Sequence, residues 1–134
     1  MQISFSKQEA VTIMHILGDV DSSSYTDVIN KAQEAYDEGA RNLLVDLSKV
    51  PYVSSAGLMA FHTVARIFTG QPVMAKDGNR PSFRAIHPQE DGSAREHVKL
   101  LSPQPPVEQV LDMVGLAAFF KVFTDLETAV SSFQ

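Results

Sequence analysis

Two adjacent hydroxyls, Ser54 and Ser55, precede Ala56-Gly57-Leu58 where an apolar run gives way to an amphipathic stretch. A serine at the start of a helix can accept a hydrogen bond from a first-turn N–H and so cap it. The same place suits a phosphate, because the first N–H groups lack intrahelical acceptors and the helix dipole puts partial positive charge there. A third chemistry, a hydrolase nucleophile, would be specific only within a Gly-x-Ser-x-Gly elbow, and Ser55 has no such frame. A Ser-His-Asp triad assembled from distant positions stays open. The four histidines, His15, His62, His87 and His97, show no metal-ligand spacing with one another or with Asp/Glu. They read as isolated surface or core residues. No Gly-rich phosphate loop is present, and with zero cysteines there is no disulfide, thiol chemistry or Cys-bound metal. No cofactor and no metal are expected.

The elements that position the serine pair follow from periodicity. Gln2 to Phe5 and Val11 to Leu17 read as strands, with the polar Gln8-Glu9 break short enough for a hairpin. Gly18-Asp19-Val20-Asp21 closes the second strand. Ser22-Ser23-Ser24 then offers N-caps for a helix to about Glu38, with Val28, Ile29, Ala32, Ala35 and Tyr36 on one face and Gly39 at its C-terminus. Asn42 to Leu47 is a compact apolar run, the pattern of a strand buried on both faces, and strand–helix–strand makes a βαβ unit. A second helix spans about Ala56 to Thr69, with Leu58, Phe61, Ala65 and Phe68 as its stripe.

Beyond it the pattern breaks. Gly70, Asp77-Gly78, Asp91-Gly92 and prolines 72, 81 and 88 punctuate an irregular segment of about 71–97, either a small hairpin (Val73–Ala75 with Ser82–Ile86) or a loop. Val98 to Leu101 is a further core strand. Pro105-Pro106 opens a third helix with Val107, Val110, Leu111 and Val114 buried and Gly115 as its stop. Leu116 to Phe120 is a connector and Lys121-Val122-Phe123 an edge strand. Thr124 or Asp125 caps a last helix carrying Leu126, Ala129, Val130 and Phe133 on one side.

The 134 residues, 44% hydrophobic and 20% charged, suit one globular domain. A net charge of −5 with eleven scattered basic residues argues against nucleic acid as a partner. No run of roughly 20 uncharged apolar residues exists, so no membrane insertion is expected. The N-terminal residues lack the layout of a secretory signal, and a cytoplasmic location is expected.

Three pieces in order, Gly18-Asp19-Val20-Asp21, then Leu44 to Leu58, then Val110 to Leu116, resemble the STAS domain family, and most closely its stand-alone anti-sigma factor antagonists. The resemblance covers about residues 3–69 and 98–133. It implies an α/β fold, a mixed four- to five-stranded sheet with helices packed mainly on one face, and a regulatory binding protein in place of an enzyme. In that family the partner is an anti-sigma factor with GHKL-type serine-kinase activity, and a PP2C-like phosphatase reverses the modification. The acceptor position matches Ser55. Asp19 and Asp21 match the family's acidic loop, so the implied partner surface is Asp19, Asp21, Ser54, Ser55, Ala56, Gly57 and Leu58. Ser54 stands where the family commonly has Asp, and Ala56 where it often has a second Ser. Ser54 is therefore either the N-cap beside a modified Ser55 or a competing acceptor. An alternative within the same family is a non-phosphorylated scaffold subunit of a signalling or lipid-transport complex. The 71–97 segment is longer than the family usually carries there and reads as a surface insertion in a single 1–134 domain, or else as a second contact surface.

Overall fold

In the computed structural model, residues 1–68, 97–115 and 120–133 are described. Their elements run β1 (Gln2–Gln8), β2 (Val11–Leu17), α1 (Tyr25–Asp37), β3 (Leu43–Lys49), α2 (Ser55–Ile67), β4 (Val98–Leu101), α3 (Pro105–Met113), β5 (Val122–Phe123) and α4 (Leu126–Ser131). The strands form a five-stranded sheet in the order β1-β2-β3-β4-β5. β1 and β2 make an antiparallel hairpin, and β2 through β5 are parallel. Parallel neighbours need crossovers, which α1 and α3 supply between β2 and β3 and between β4 and β5.

Period-two alternation sorts the strand side chains onto two faces. On one, Met14, Ile16, Leu43, Val45, Leu47, Val98 and Leu100 join the buried sides of α1, α2 and α3 in the main core. On the other, Val11, Ile13, Leu44 and Leu101 pack with Ala129 and Val130 of α4. Helices therefore lie mainly on one face, as the family resemblance implies.

The hairpin turns at Glu9, whose φ is +56°, and β1 extends to Gln8, three residues beyond the expected Phe5. Its later residues Ser6, Lys7 and Gln8 are polar, so no apolar alternation marks them as strand; pairing with β2 keeps them extended. α1 ends as its sequence suggests. Gly39 has φ +114°, its N–H donates to Tyr36 O, and the Ala40 N–H donates to Ala35 O, which closes the last turn.

Two packing expectations for α3 need correction. Val114 is 53% exposed because it lies past the last helical residue, and Val110 is only half-buried; Val107 and Leu111 make the buried contact. In α4, Leu126 is likewise partly exposed, and Asp125 is the cap. The suggested hairpin around Asp77-Gly78, and most of the Leu116–Phe120 connector, lie outside the described residues.

His15 is not isolated. Its ring lies between Ser6 and Asp46 at 2.8 and 2.9 Å, and His97 Nδ1 is 3.1 Å from Asn42 Oδ1. Among the described residues no group of three His, Cys, Asp or Glu side chains could hold a metal ion. No helix of the described residues is long and apolar enough to cross a membrane.

Candidate functional site

The serine pair lies at the C-terminal end of the parallel strands, where β3 hands over to α2 through 50–54. Ser54 is extended (φ −84°, ψ 177°) and is the N-cap: its Oγ accepts the Gly57 N–H at 3.3 Å, and its carbonyl accepts the Leu58 N–H at 3.0 Å. The cap role is thereby assigned to Ser54. Ser55 is the first helical residue and is exposed, in the turn whose N–H groups lack intrahelical acceptors. The first turn of α2 carries no acidic residue of its own to offset the positive end of its dipole.

The acidic loop is tied to this turn by backbone pairing. Val20 and Val53 form an isolated parallel bridge. The Val20 N–H donates to Tyr52 O at 3.0 Å, and the Ser54 N–H donates to Val20 O at 2.9 Å. Both valines are fully buried, so Asp19 and Asp21 flank an anchored residue.

Gly57 makes the approach possible. A Cβ there would fall 2.4 Å from Val20 O and 2.7 Å from Val53 Cγ1, closer than any side chain tolerates. Its α-helical backbone needs no special φ. What Gly57 supplies is space, which sequence reasoning missed; a glycine in the first turn of an otherwise good helix is the signal that could have found it.

The two aspartates differ. Asp21 serves its own turn: Oδ1 accepts the Ser23 N–H at 3.0 Å and the Ser23 hydroxyl at 2.6 Å, with the Ser24 hydroxyl at 3.3 Å. Those bonds, the Ser23 hydroxyl first, hold its carboxyl below the usual carboxylate range. Asp21 thus shapes the loop while keeping its charge. Asp19 is exposed, and its carbonyl accepts the Ser24 hydroxyl at 2.9 Å.

Six of the seven expected positions gather about the turn, five of them at its surface with Ala56 half-buried, and Gly57 buried beneath them. Leu58 is the exception. It is 4% exposed and packs in the main core, because a residue four positions after the cap turns inward with Phe61 and Ala65. Tyr52, half exposed on the same loop, was not expected as a surface group and adds an aromatic ring to the rim. Its place between Pro51 and the buried Val53 was the available cue, since alternation turns it outward.

A family model, the STAS domain, matches residues 2–70, and the chain belongs to that family. A comparison with curated protein sequences returned no match. Among solved structures, the chain is similar to the Thermotoga maritima protein TM1081 (14% identity, 98% of this chain and 93% of that chain, TM-score 0.73). It is also similar to an anti-sigma factor antagonist from Mycobacterium paratuberculosis (14%, 98% and 92%, TM-score 0.70). The Bacillus cell fate determinant SpoIIAA in its phosphorylated form matches at 14% identity over 99% of this chain and 100% of that chain, with a TM-score of 0.61. At such identities the likeness shows a shared fold.

Proposed function

We propose that this chain is an anti-sigma factor antagonist in the cytoplasm, whose binding to an anti-sigma factor with GHKL-type serine-kinase activity is switched by phosphorylation of Ser55. The observation that carries the reading is the division of labour in the serine pair. Ser54 is committed to the cap, whereas Ser55 is exposed at the first helical position, next to the Asp19–Asp21 loop. A kinase can reach Ser55 without opening the fold.

Phosphorylation would add about −1.5 to −2 charges. Within the chain the helix end stabilises that charge, so the domain keeps its shape. At a partner surface matched to a neutral hydroxyl, the same group brings desolvation and like-charge repulsion. The ionised Asp21 and exposed Asp19 strengthen that repulsion, and a PP2C-like phosphatase would reset the switch. The test is incubation with a GHKL anti-sigma kinase and ATP. Label on Ser55, absent in Ser55→Ala and retained in Ser54→Ala, supports the reading. No label on either serine would favour the non-phosphorylated scaffold.

A further inference from the structure

The face of the sheet remote from α1, α2 and α3 carries a second constellation. Ser6 of β1, His15 of β2 and Asp46 of β3 lie in one row across neighbouring strands. His15 pairs directly with Asp46, and Ser6 sits diagonally across the hairpin, opposite Ile13. Ser6 Oγ is 2.8 Å from His15 Nε2, and His15 Nδ1 is 2.9 Å from Asp46 Oδ2.

The protonation follows from the acid. Burial pushes the Asp46 carboxyl up, but the Ser48 N–H, donating to Oδ1 at 3.0 Å, and the His15 ring together outweigh it and leave the carboxyl below its usual range. An ionised carboxylate only accepts, so the shared proton is on His15 Nδ1. In the neutral ring with its proton on Nδ1, Nε2 carries the lone pair that faces the Ser6 hydroxyl. Nucleophile, base and orienting acid stand in the order and at the separations that activate a serine. Ser6 is exposed, while His15 and Asp46 keep 33% and 18% side-chain exposure, so a small reagent can reach the hydroxyl.

We propose that Ser6 is an activated nucleophile that accepts acyl groups from thioesters. Ser6 Oγ attacks the acyl carbon and its proton passes to His15 Nε2. The C–S bond breaks, and the departing thiolate takes the proton from the imidazolium. The products are O-acyl-Ser6 and a free thiol. The reaction is a stoichiometric acylation driven by general-base help. Such help contributes about 100-fold or more. The site stands apart from the Ser55 turn and does not rest on the reading of that turn.

The test treats the full chain with phenyl thioacetate and locates acetyl groups by peptide mass spectrometry. One acetyl per chain on Ser6 is expected, forming about 100-fold more slowly in His15→Gln and more slowly also in Asp46→Asn. Circular dichroism checks that the variants fold. Wild-type chain in denaturant gives a control independent of substitution, and selective Ser6 labelling is expected to vanish there. Acetylation spread over lysines without Ser6, an undiminished rate in Ser6→Ala, or equal Ser6 labelling in folded and denatured chain would each overturn the proposal.

Discussion

Under α1, α2 and α3 the sheet is aliphatic from β2 to β4, whereas the opposite face mixes a small apolar cluster with buried and half-buried polar groups. Lys99 shows the contrast best. It alternates with Val98 and Leu100 on β4, so its side chain must enter the second face, where it is 2% exposed. Nζ donates to Ser132 O at 2.9 Å and Ser132 Oγ at 3.0 Å and lies 4.3 Å from the Phe133 ring centroid. The main face is held by packing; the second adds directed polar contacts to its smaller apolar cluster and carries the Ser6–His15–Asp46 row. The Ser55 turn belongs to the first face, because α2 is a core helix with ten buried residues and an exposed N-terminus. On the proposed reading, a charge added at Ser55 meets a helix anchored in the core, so the fold is expected to persist.

The largest test of this contrast is truncation in each core. Phe61→Ala, on the main face, should cost about 3–5 kcal/mol in urea unfolding, and Val130→Ala, under α4, about 2 kcal/mol. Equal losses would mean that the faces share stability evenly. Next, Gly57→Ala drives a methyl onto Val20 O and should cost about 1–3 kcal/mol by overpacking. It should also weaken partner binding, because the acidic loop must move off the serine turn. Unchanged binding would detach that loop from the partner surface.

The caps give a finer comparison. Asp125 Oδ2 accepts the Thr128 N–H at 2.8 Å, while Ser54 accepts its N–H at 3.3 Å. Asp125→Ala should cost about 1 kcal/mol and Ser54→Ala about 0.5 kcal/mol, read from thermal melts. The smallest effect is on pH. Asp21, Asp46 and Asp125 all have carboxyls lowered from the ordinary 3.8. A depressed folded value means the unfolded chain takes up protons first. Their stabilisation is therefore complete above the ordinary value and fades as pH falls through it towards the folded values. Asp46→Asn should flatten that acid limb, measured as melting temperature between about pH 6 and pH 3.

Elements with strong periodicity were legible in the sequence. The stripe residues Val28, Ile29, Ala32 and Ala35 and the strand residues Leu43, Leu44, Val45 and Leu47 are buried as their spacing implies, Tyr36 is half-buried, and Gly39 ends α1. Local signals also placed the serine turn, since capping needs only neighbours. Interactions between distant strands were not legible. Ser6, His15 and Asp46 meet only because pairing sets β1 against β2 and β2 against β3, a register that no local pattern encodes. The role of Gly57 was hidden for the same reason, as its constraint is the Val20 carbonyl across the fold. Val114 failed differently: helical spacing was carried one residue past the end of α3, where no helix continues.

On the proposed reading, one charge at Ser55 governs partner binding while the domain keeps its shape. Calorimetric titration of a GHKL anti-sigma kinase with unmodified chain and with Ser55-phosphorylated chain measures it directly. An affinity lower by about 5–150-fold is expected for the phosphorylated chain, with unchanged circular dichroism. Equal affinities for the two forms would contradict it.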